Sequence, residues 1–502
     1  MPDRSTFDLA IIGGGVNGCG IAADAAGRGL SVLLAEMGDL AGATSSASSK
    51  LVHGGLRYLE HYEFRLVREA LAEREVLLAM APHLIWPLRF VLPDAPGQRP
   101  RWMIQAGLLL YDYLYRRKLI PASDSVDLKT DPAGAPLVPG LKRGFSYWDC
   151  WVDDARLVVL NAQAAVERGA EILTRWQAVS ARPEGHYWVV RLVCGNQVRE
   201  IRARALVNAG GPFADRVADT LDAAAKAPRP TLRLVKGSHI VVPRIAGADD
   251  AYLLQNTDGR VVFALPYEDR FTLIGTTDVP YAGDPASVAI DADEETYLLD
   301  VALRFFKTPP RRADIVWRFS GVRPLYDDQS ANPSAVTRDY RLDLSAGPKT
   351  PPVLTVLGGK ITTYRRLAEE ALDKLRPHLP VMGPAWTAHA ALPGGDLPGG
   401  NFDAFLKDLR RRHPGLDPAY VRLLARRYGT RAETVIGDAK SMADLGALIT
   451  PVLTEREVLY QRLHEWARTP EDVLWRRTKA GVPLDAAART AAAAAIERVL
   501  GA

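Results

Sequence analysis

Residues 7–36 constrain this chain more than any other part of it. An apolar run from Phe7 to Ile12 enters Gly13-Gly14-Gly15-Val16-Asn17-Gly18, an alanine-rich segment follows to Gly29, and a second apolar run ends on Glu36. Strand, glycine turn, helix and strand ending on an acid together make one βαβ dinucleotide unit. Gly13 permits the tight turn, Gly15 lets a pyrophosphate approach the backbone, and Gly18 lets helix pack against strand. The helix N-terminus then faces the phosphates with free N–H groups. Glu36, 18 positions past the last glycine, is placed to hydrogen-bond a ribose. The unit precedes a long, interrupted chain, which fits FAD better than NAD.

Composition bounds the rest. With 502 residues, 47% hydrophobic and 24% charged, the chain has core for about three domains. A net charge of +4 is too mild for nucleic acid and suits an anionic substrate or an anionic membrane surface. Cys19, Cys150 and Cys194 are odd in number and widely spaced, which argues against disulfides and zinc and for a reducing compartment. The nine scattered histidines form no ligand pair, so no metal is expected. The first strand leaves no room for a signal peptide, and no apolar run is long enough to span a membrane.

After Glu36, the run Thr44-Ser45-Ser46-Ala47-Ser48-Ser49-Lys50-Leu51-Val52-His53-Gly54-Gly55-Leu56-Arg57-Tyr58 is poor strand and poor helix. It suits a loop that wraps a phosphate or a flavin edge. A helix is expected over 60–82 with a stripe of Phe64, Val67, Leu71, Val76 and Leu78, and another over 155–169. The aromatic, apolar stretch 101–115, edged by Arg116, Arg117 and Lys118, fits either an interfacial amphipathic helix or a core helix. Ala205-Leu-Val-Asn208-Ala-Gly210 is a buried strand ending in small residues, a second place where a cofactor can lie close to backbone.

From Thr231 the chain turns β-rich, suggesting an antiparallel substrate domain. It returns to the dinucleotide domain at Val353, and Gly358-Gly359-Lys360-Ile361-Thr362 opens a helix that makes a second anion site. Beyond a Gly/Pro linker at 392–400 the chain is helical, with Thr454-x-x-Glu457 as a capping box and Thr469-Pro470 as a helix start. Arg410-Arg-Arg-His413 and Arg476-Arg-Thr-Lys479 are expected as solvated faces.

The fingerprint, the 44–59 run, Trp151-Val-Asp-Asp-Ala-Arg156, Lys236-Gly-Ser-His-Ile-Val-Val, Gly275-Thr-Thr-Asp278, Ser320-Gly-Val-Arg-Pro324, Thr337-Arg-Asp-Tyr340 and Gly358-Gly-Lys-Ile-Thr-Thr-Tyr364 resemble the FAD-dependent glycerol-3-phosphate dehydrogenases. That resemblance implies an α/β fold with a Rossmann-like FAD-binding domain of the glutathione-reductase/glycine-oxidase type, an antiparallel-sheet substrate domain and a C-terminal helical domain. The expected boundaries are 1–85, 145–230 and 346–390 for the first, 86–144 and 231–345 for the second, and 391–502 for the third. It further implies oxidation of sn-glycerol 3-phosphate to dihydroxyacetone phosphate, with electrons passed from FAD to ubiquinone at the cytoplasmic membrane face. Peripheral attachment is expected through 102–115, and a homodimer is compatible with this reading.

Oxidising a secondary alcohol needs a base, a hydride acceptor and a clamp on the rest of the substrate. His239 is the candidate base, and Arg323, always charged, is the candidate alkoxide stabiliser. Arg57, Tyr58, Arg338 and Lys360 are expected to hold the phosphate. The expected cofactor contacts are Gly13, Gly15, Asn17, Gly18, Glu36, Thr44, Ser45, Ser49, Lys50, Leu51, His53, Gly210, Gly358, Gly359, Ile361 and Thr362. For His53 the resemblance implies a non-covalent contact. Two other readings remain open: an oxidase passing electrons to oxygen, and a non-catalytic flavoprotein that senses glycerol phosphate.

Overall fold

The computed structural model describes residues 5–221, 232–326, 339–348 and 350–501. Its first sheet grows from the opening strand Thr6–Ile12, which runs parallel between Val32–Glu36 and Gln197–Asn208. Ile11 lies opposite both Leu34 and Val207, and all three are fully buried. A strand buried on both faces must be continuously apolar, as this one is. Glu171–Thr174 and Thr350–Gly358 extend the parallel sheet at either side, and Tyr340–Gly347 adds an antiparallel edge. The helices Val16–Gly27, Asp154–Val166 and Tyr364–Leu375 share one apolar cluster with it. A meander through Gln177–Glu184 and Tyr187–Cys194 continues into Gln197–Asn208. This is the α/β dinucleotide-binding fold expected from the fingerprint.

The second sheet is antiparallel except where Ala251–Gln255 runs parallel to Ile85–Pro93. Its spine is Leu232–Pro243, paired with Trp317–Tyr326 on one side and Phe271–Gly275 on the other. The helix Ala292–Phe305 covers it, started by a capping box between Asp291 and Glu294. Two expected boundaries move. Arg143–Val152 pairs with Ile85–Pro93 from Gly144 to Val152 and so belongs to the second sheet, where the expected boundary puts 145–152 in the first domain. Tyr340–Gly347 pairs with Thr350–Gly358 and so belongs to the first sheet, although 340–345 was assigned to the second.

Helices dominate the chain after residue 401. Thr454 caps Glu455–His464 as expected, accepting from the Glu457 N–H. Glu457 does not close the box. Its carboxylate turns inward to Arg427 and to the hydroxyls of Tyr420 and Tyr428, all at 2.8 Å. The 476–479 cluster is not a solvated face either: Arg477 and Lys479 are buried, the first on Asp39 and the second on Asp153. Arg411 and Arg412 are exposed.

The Trp151–Arg156 motif is the seam between domains. Asp153 caps the following helix and pairs with Lys479. Asp154 holds the Lys50 amine at 2.8 Å, and Arg156 reaches Glu465 at 2.5 Å. A buried pair that loses one partner strands a charge, which costs about 3–5 kcal/mol. Asp154→Leu is therefore expected to lower the thermal unfolding midpoint strongly, while Lys50→Met with Asp154→Leu recovers most of the loss. A double variant no better than the single would show that the pair acts through more than its charge.

Candidate functional site

The carboxyl ends of three parallel strands end in glycine turns at the same edge of the first sheet: after Ile12, after Asn208 and at Gly358. Ligands of open α/β sheets bind outside this edge. Here it opens into a cavity of about 1260 Å³, larger than the roughly 300–1,000 Å³ of ordinary small-molecule sites, that extends to the second sheet. Gly13 adopts φ +116°, and a Cβ there would meet the Ala209 carbonyl at 2.4 Å. At Gly18 a Cβ would lie 2.0 Å from the Gly13 carbonyl, so the helix meets the turn only without a side chain. The Val16 N–H at the helix start is held by Ser45 Oγ at 3.0 Å. A cradle of backbone N–H groups at a helix N-terminus, beside a hydroxyl-rich loop, fits the pyrophosphate of FAD.

Glu36 lines the same cavity, with its oxygens accepting from the Gly14 N–H at 2.6 Å and the Gly38 N–H at 2.7 Å. Burial raises its pKa against those donors. Each oxygen keeps a lone pair for a ribose hydroxyl. Gly15, Asn17, Thr44, Ser49, Leu51, His53, Gly210, Gly358, Gly359 and Ile361 also line the cavity. Asn17 donates to the Gly358 carbonyl at 3.4 Å, and Thr44 to that of Val322 at 2.6 Å. Two side chains expected here point elsewhere. Lys50, at φ +58°, turns down onto Asp154 and is fully buried. The Thr362 hydroxyl is spent on the His53 backbone, accepting from its N–H at 3.2 Å.

At the far end stand the groups expected to meet substrate. Arg323 is fixed by Asp278 and by Thr276 Oγ1, and faces the cavity. Lys360 presents a buried amine with no hydrogen-bond partner, 4.9 Å over the Tyr58 ring. Arg57 Nε is likewise buried and unpartnered. Burial moves the Lys360 pKa down to about 8. His53 is the one histidine among the described residues on the cavity wall; burial, helped by Lys360, Arg74 and Arg323, lowers its pKa to about 3. Arg338 lies outside the described residues.

His239 sits one layer behind the wall. Its Nε2 meets Ser49 Oγ at 2.9 Å, and its ring stacks on Phe319 at 4.8 Å. Burial, with Arg323 and Lys50 nearby, holds its pKa well below the usual histidine value, so the ring is neutral. The Ser49 hydroxyl, which lines the cavity, links it to the site. A support absent from the sequence reading lies under His53: Asp149 takes hydrogen bonds from Tyr111 at 2.8 Å and Arg74 at 2.7 Å, and Tyr111 accepts from the Gly54 N–H at 2.8 Å. Its members are 38 and 75 positions apart, with no local pattern to connect them.

Comparisons with known proteins agree with this geometry. Residues 8–365 match the FAD dependent oxidoreductase family, and residues 385–501 match the C-terminal domain of alpha-glycerophosphate oxidase. The chain is 55% identical to a glycerol-3-phosphate dehydrogenase of Pseudomonas aeruginosa, over 96% of this chain and 93% of that one. It is 50% identical to the D-erythritol 1-phosphate dehydrogenase of Brucella abortus, over 98% of both. Among solved structures, the glycerol-3-phosphate dehydrogenase of Bacillus halodurans complexed with FAD superimposes with a TM-score of 0.75 at 27% identity, covering 99% of this chain and 95% of that one.

An amine of pKa about 8 holds an anion only while protonated. Against an unfolded lysine near 10.4, its burial costs stability fully below about pH 8, and the cost vanishes above about 10.4. Inorganic phosphate is therefore expected to bind and stabilise the protein at pH 7, and to lose affinity as pH rises through about 8. Phosphate affinity that stays level from pH 7 to 9.5 would remove Lys360 from the anion site.

Proposed function

Because the chain belongs to the FAD-dependent glycerol-3-phosphate dehydrogenases, with the fold, fingerprint and cofactor that this family entails, we propose that it oxidises sn-glycerol 3-phosphate to dihydroxyacetone phosphate and passes the electrons to ubiquinone. The observation that carries this reading is the unpartnered Lys360 amine and Arg57 Nε in a cavity that also holds a fixed Arg323. Uncompensated buried cations cost stability unless an anion joins them. A phosphate is the anion that two such groups and the Tyr58 hydroxyl can share.

FAD, when bound, supplies the two-electron acceptor for the substrate's carbon-bound hydride. The protein's part is binding, orientation and proton handling. Lys360, Arg57 and Tyr58 hold the phosphate, and Arg338 is assigned with them from the sequence. Arg323, already locked by Asp278 and Thr276, stabilises the negative charge that develops on the substrate oxygen. The hydroxyl proton passes to Ser49 Oγ as Ser49 hands its own to His239 Nε2, in the tautomer that carries its proton on Nδ1.

The helix Arg101–Tyr113 supports a membrane-facing acceptor. It buries only Leu108 and Tyr111, which disfavours a core helix; Trp102 is 72% exposed, Leu109 52% and Tyr113 81%. Met103, Ile104 and Leu110 of the same helix line the cavity, so its apolar face joins the mouth of the site. No helix among the described residues is long and apolar enough to cross a membrane. An apolar face edged by Arg116 and Lys118 fits the interface of an anionic bilayer, and a lipophilic quinone would enter there.

The decisive test is anaerobic mixing with glycerol 3-phosphate, which should bleach the flavin at once, followed by turnover with a short-chain ubiquinone. No bleaching would leave a binding protein. Stoichiometric peroxide without quinone would make it an oxidase, and a higher kcat/KM for D-erythritol 1-phosphate would lengthen the substrate. Lys360→Met should cut kcat/KM for glycerol 3-phosphate about ten- to a hundredfold, the worth of one charge-assisted hydrogen bond, and leave the slow oxidation of glycerol nearly unchanged. Equal slowing of both would make Lys360 structural. Trp102→Glu with Leu109→Glu should abolish flotation with anionic vesicles that persists in high salt; unchanged flotation would exclude this helix.

A further inference from the structure

The C-terminal domain reaches the cofactor cavity through one element. After Thr469, whose Oγ1 accepts from the Asp472 N–H at 3.3 Å, the chain winds into a π-helix, Asp472–Arg477. π-Turns are rare and recur at functional sites. This one sends one side chain to the second sheet and the next two to Asp39 of the first domain. Trp475 stacks on Trp317 of the second sheet, with ring centres 4.8 Å apart. Arg476 donates through Nε to Asp39 Oδ2 and through Nη2 to Asp472 Oδ1, both at 2.6 Å. Arg477 turns into the core and grips both Asp39 oxygens, at 2.7 and 2.8 Å.

Asp39 is the pivot. It closes the loop that begins at Glu36, where the Gly38 N–H is held by the Glu36 carboxylate and the Trp176 N–H by the Glu36 carbonyl at 2.9 Å. Asp39, three positions after the acid placed to meet the ribose, is thus fastened by two arginines more than 430 positions away. Trp475, Arg476, Trp176, Gly38 and Asp39 all lie on the cavity wall. Asp39 is shared with Arg477 and Asp472 with Arg175, so Arg476 is not fully neutralised by either. Its Nη1 carries no hydrogen bond among the described residues. Arg476 is thus a fixed, partly satisfied donor on the wall of the cavity.

We propose that Trp475 and Arg476 are cofactor-binding residues, by which the C-terminal domain closes the nucleotide end of the FAD site and sets how long FAD stays bound. This holds whichever phosphorylated polyol is oxidised and whichever acceptor follows. It turns the helical domain from an appendage into part of the cofactor site. A bridge that touches the first domain at Asp39 and the second at Trp317 can release FAD only when one of those contacts opens.

The test follows FAD rather than turnover. Holoenzyme is diluted and the rise in flavin fluorescence from released FAD is timed. Arg476→Ala is expected to release FAD about ten- to a hundredfold faster, the worth of one charge-assisted hydrogen bond. It should also shrink the rise in unfolding midpoint that excess FAD produces. Arg456→Ala, which removes an exposed pair with Asp438 in the same domain, should leave both unchanged. If Arg476→Ala lowers the midpoint equally with and without FAD and leaves release unaltered, Arg476 is only an interdomain ion pair and the proposal fails. Should that variant not fold, Arg476→Lys and Trp475→Phe decide the matter, since wild-type release in both would equally overturn it.

Discussion

The backbone contact between the Gly13 turn and Ala209 determines where everything else in this molecule stands. Thr6–Ile12 and Gln197–Asn208 are parallel neighbours, and Ile12 lies opposite Asn208, so their two turns leave the sheet side by side. No side chain fits between them, since a Cβ on Gly13 would overlap the Ala209 carbonyl. Thr350–Gly358 continues the same alignment, with Thr355 opposite Asn208 and Gly358 at the strand's end. Three turns without side-chain bulk, aligned by strand register, make the edge from which the cavity opens. Register is set by the apolar faces of buried strands, so the position of the site follows from core packing.

Above that edge, charge separates structure from function. The buried cations away from the cavity are paired: Lys50 with Asp154 inside the first domain, Arg427 with Glu457 inside the C-terminal one, and Arg156 with Glu465 and Arg477 with Asp39 between the two. The Lys360 amine is the contrast. It is equally removed from solvent yet has no hydrogen-bond partner, and its pKa falls as an unpaired buried amine's must. A fold that pairs those cations leaves this amine, like Arg57 Nε, without a partner at the ligand cavity, which is the pattern of groups whose partner arrives with a ligand.

Chemistry carried by a few adjacent residues was legible in the sequence, and chemistry assembled across the fold was not. Gly13 to Glu36 could be read because one βαβ unit contains its own glycines, helix and acid within 30 residues. Lys360 could be picked out because it follows Gly359 just past a strand end, whereas Arg323, expected at a strand end after Gly321, lies inside Trp317–Tyr326 with Val235 opposite it. The 476–479 cluster resembled a solvated face because its partners, Asp39 and Asp153, lie more than 300 residues upstream. Lys50 belongs by sequence to the loop it occupies, but a left-handed backbone at that one residue turns it into the core. The depth of His239 depends on cross-strand neighbours, since Phe319 lies opposite it in the sheet and Ser49 covers its Nε2.

The cavity is also electrically graded along its length, and the grade matches the molecules it is built to take. At the fingerprint end stand Glu36, a carboxylate whose pKa is raised by burial and which offers acceptors to hydroxyls, and the Asp39–Arg476 ion pair. At the other end Lys360, Arg57 and Arg323 gather, and Lys360, Arg74 and Arg323 together disfavour a proton on His53. A protonated His53 would add a further positive charge there; kept neutral, it can face a flavin ring without drawing the substrate phosphate out of place. Positive potential focused at one end of a partly dry cavity attracts a dianion and orients it. On the proposed function, the phosphate is drawn to Lys360 and the carbon to be oxidised is left beside Arg323, where a fixed guanidinium would stabilise the oxygen only as it becomes negative.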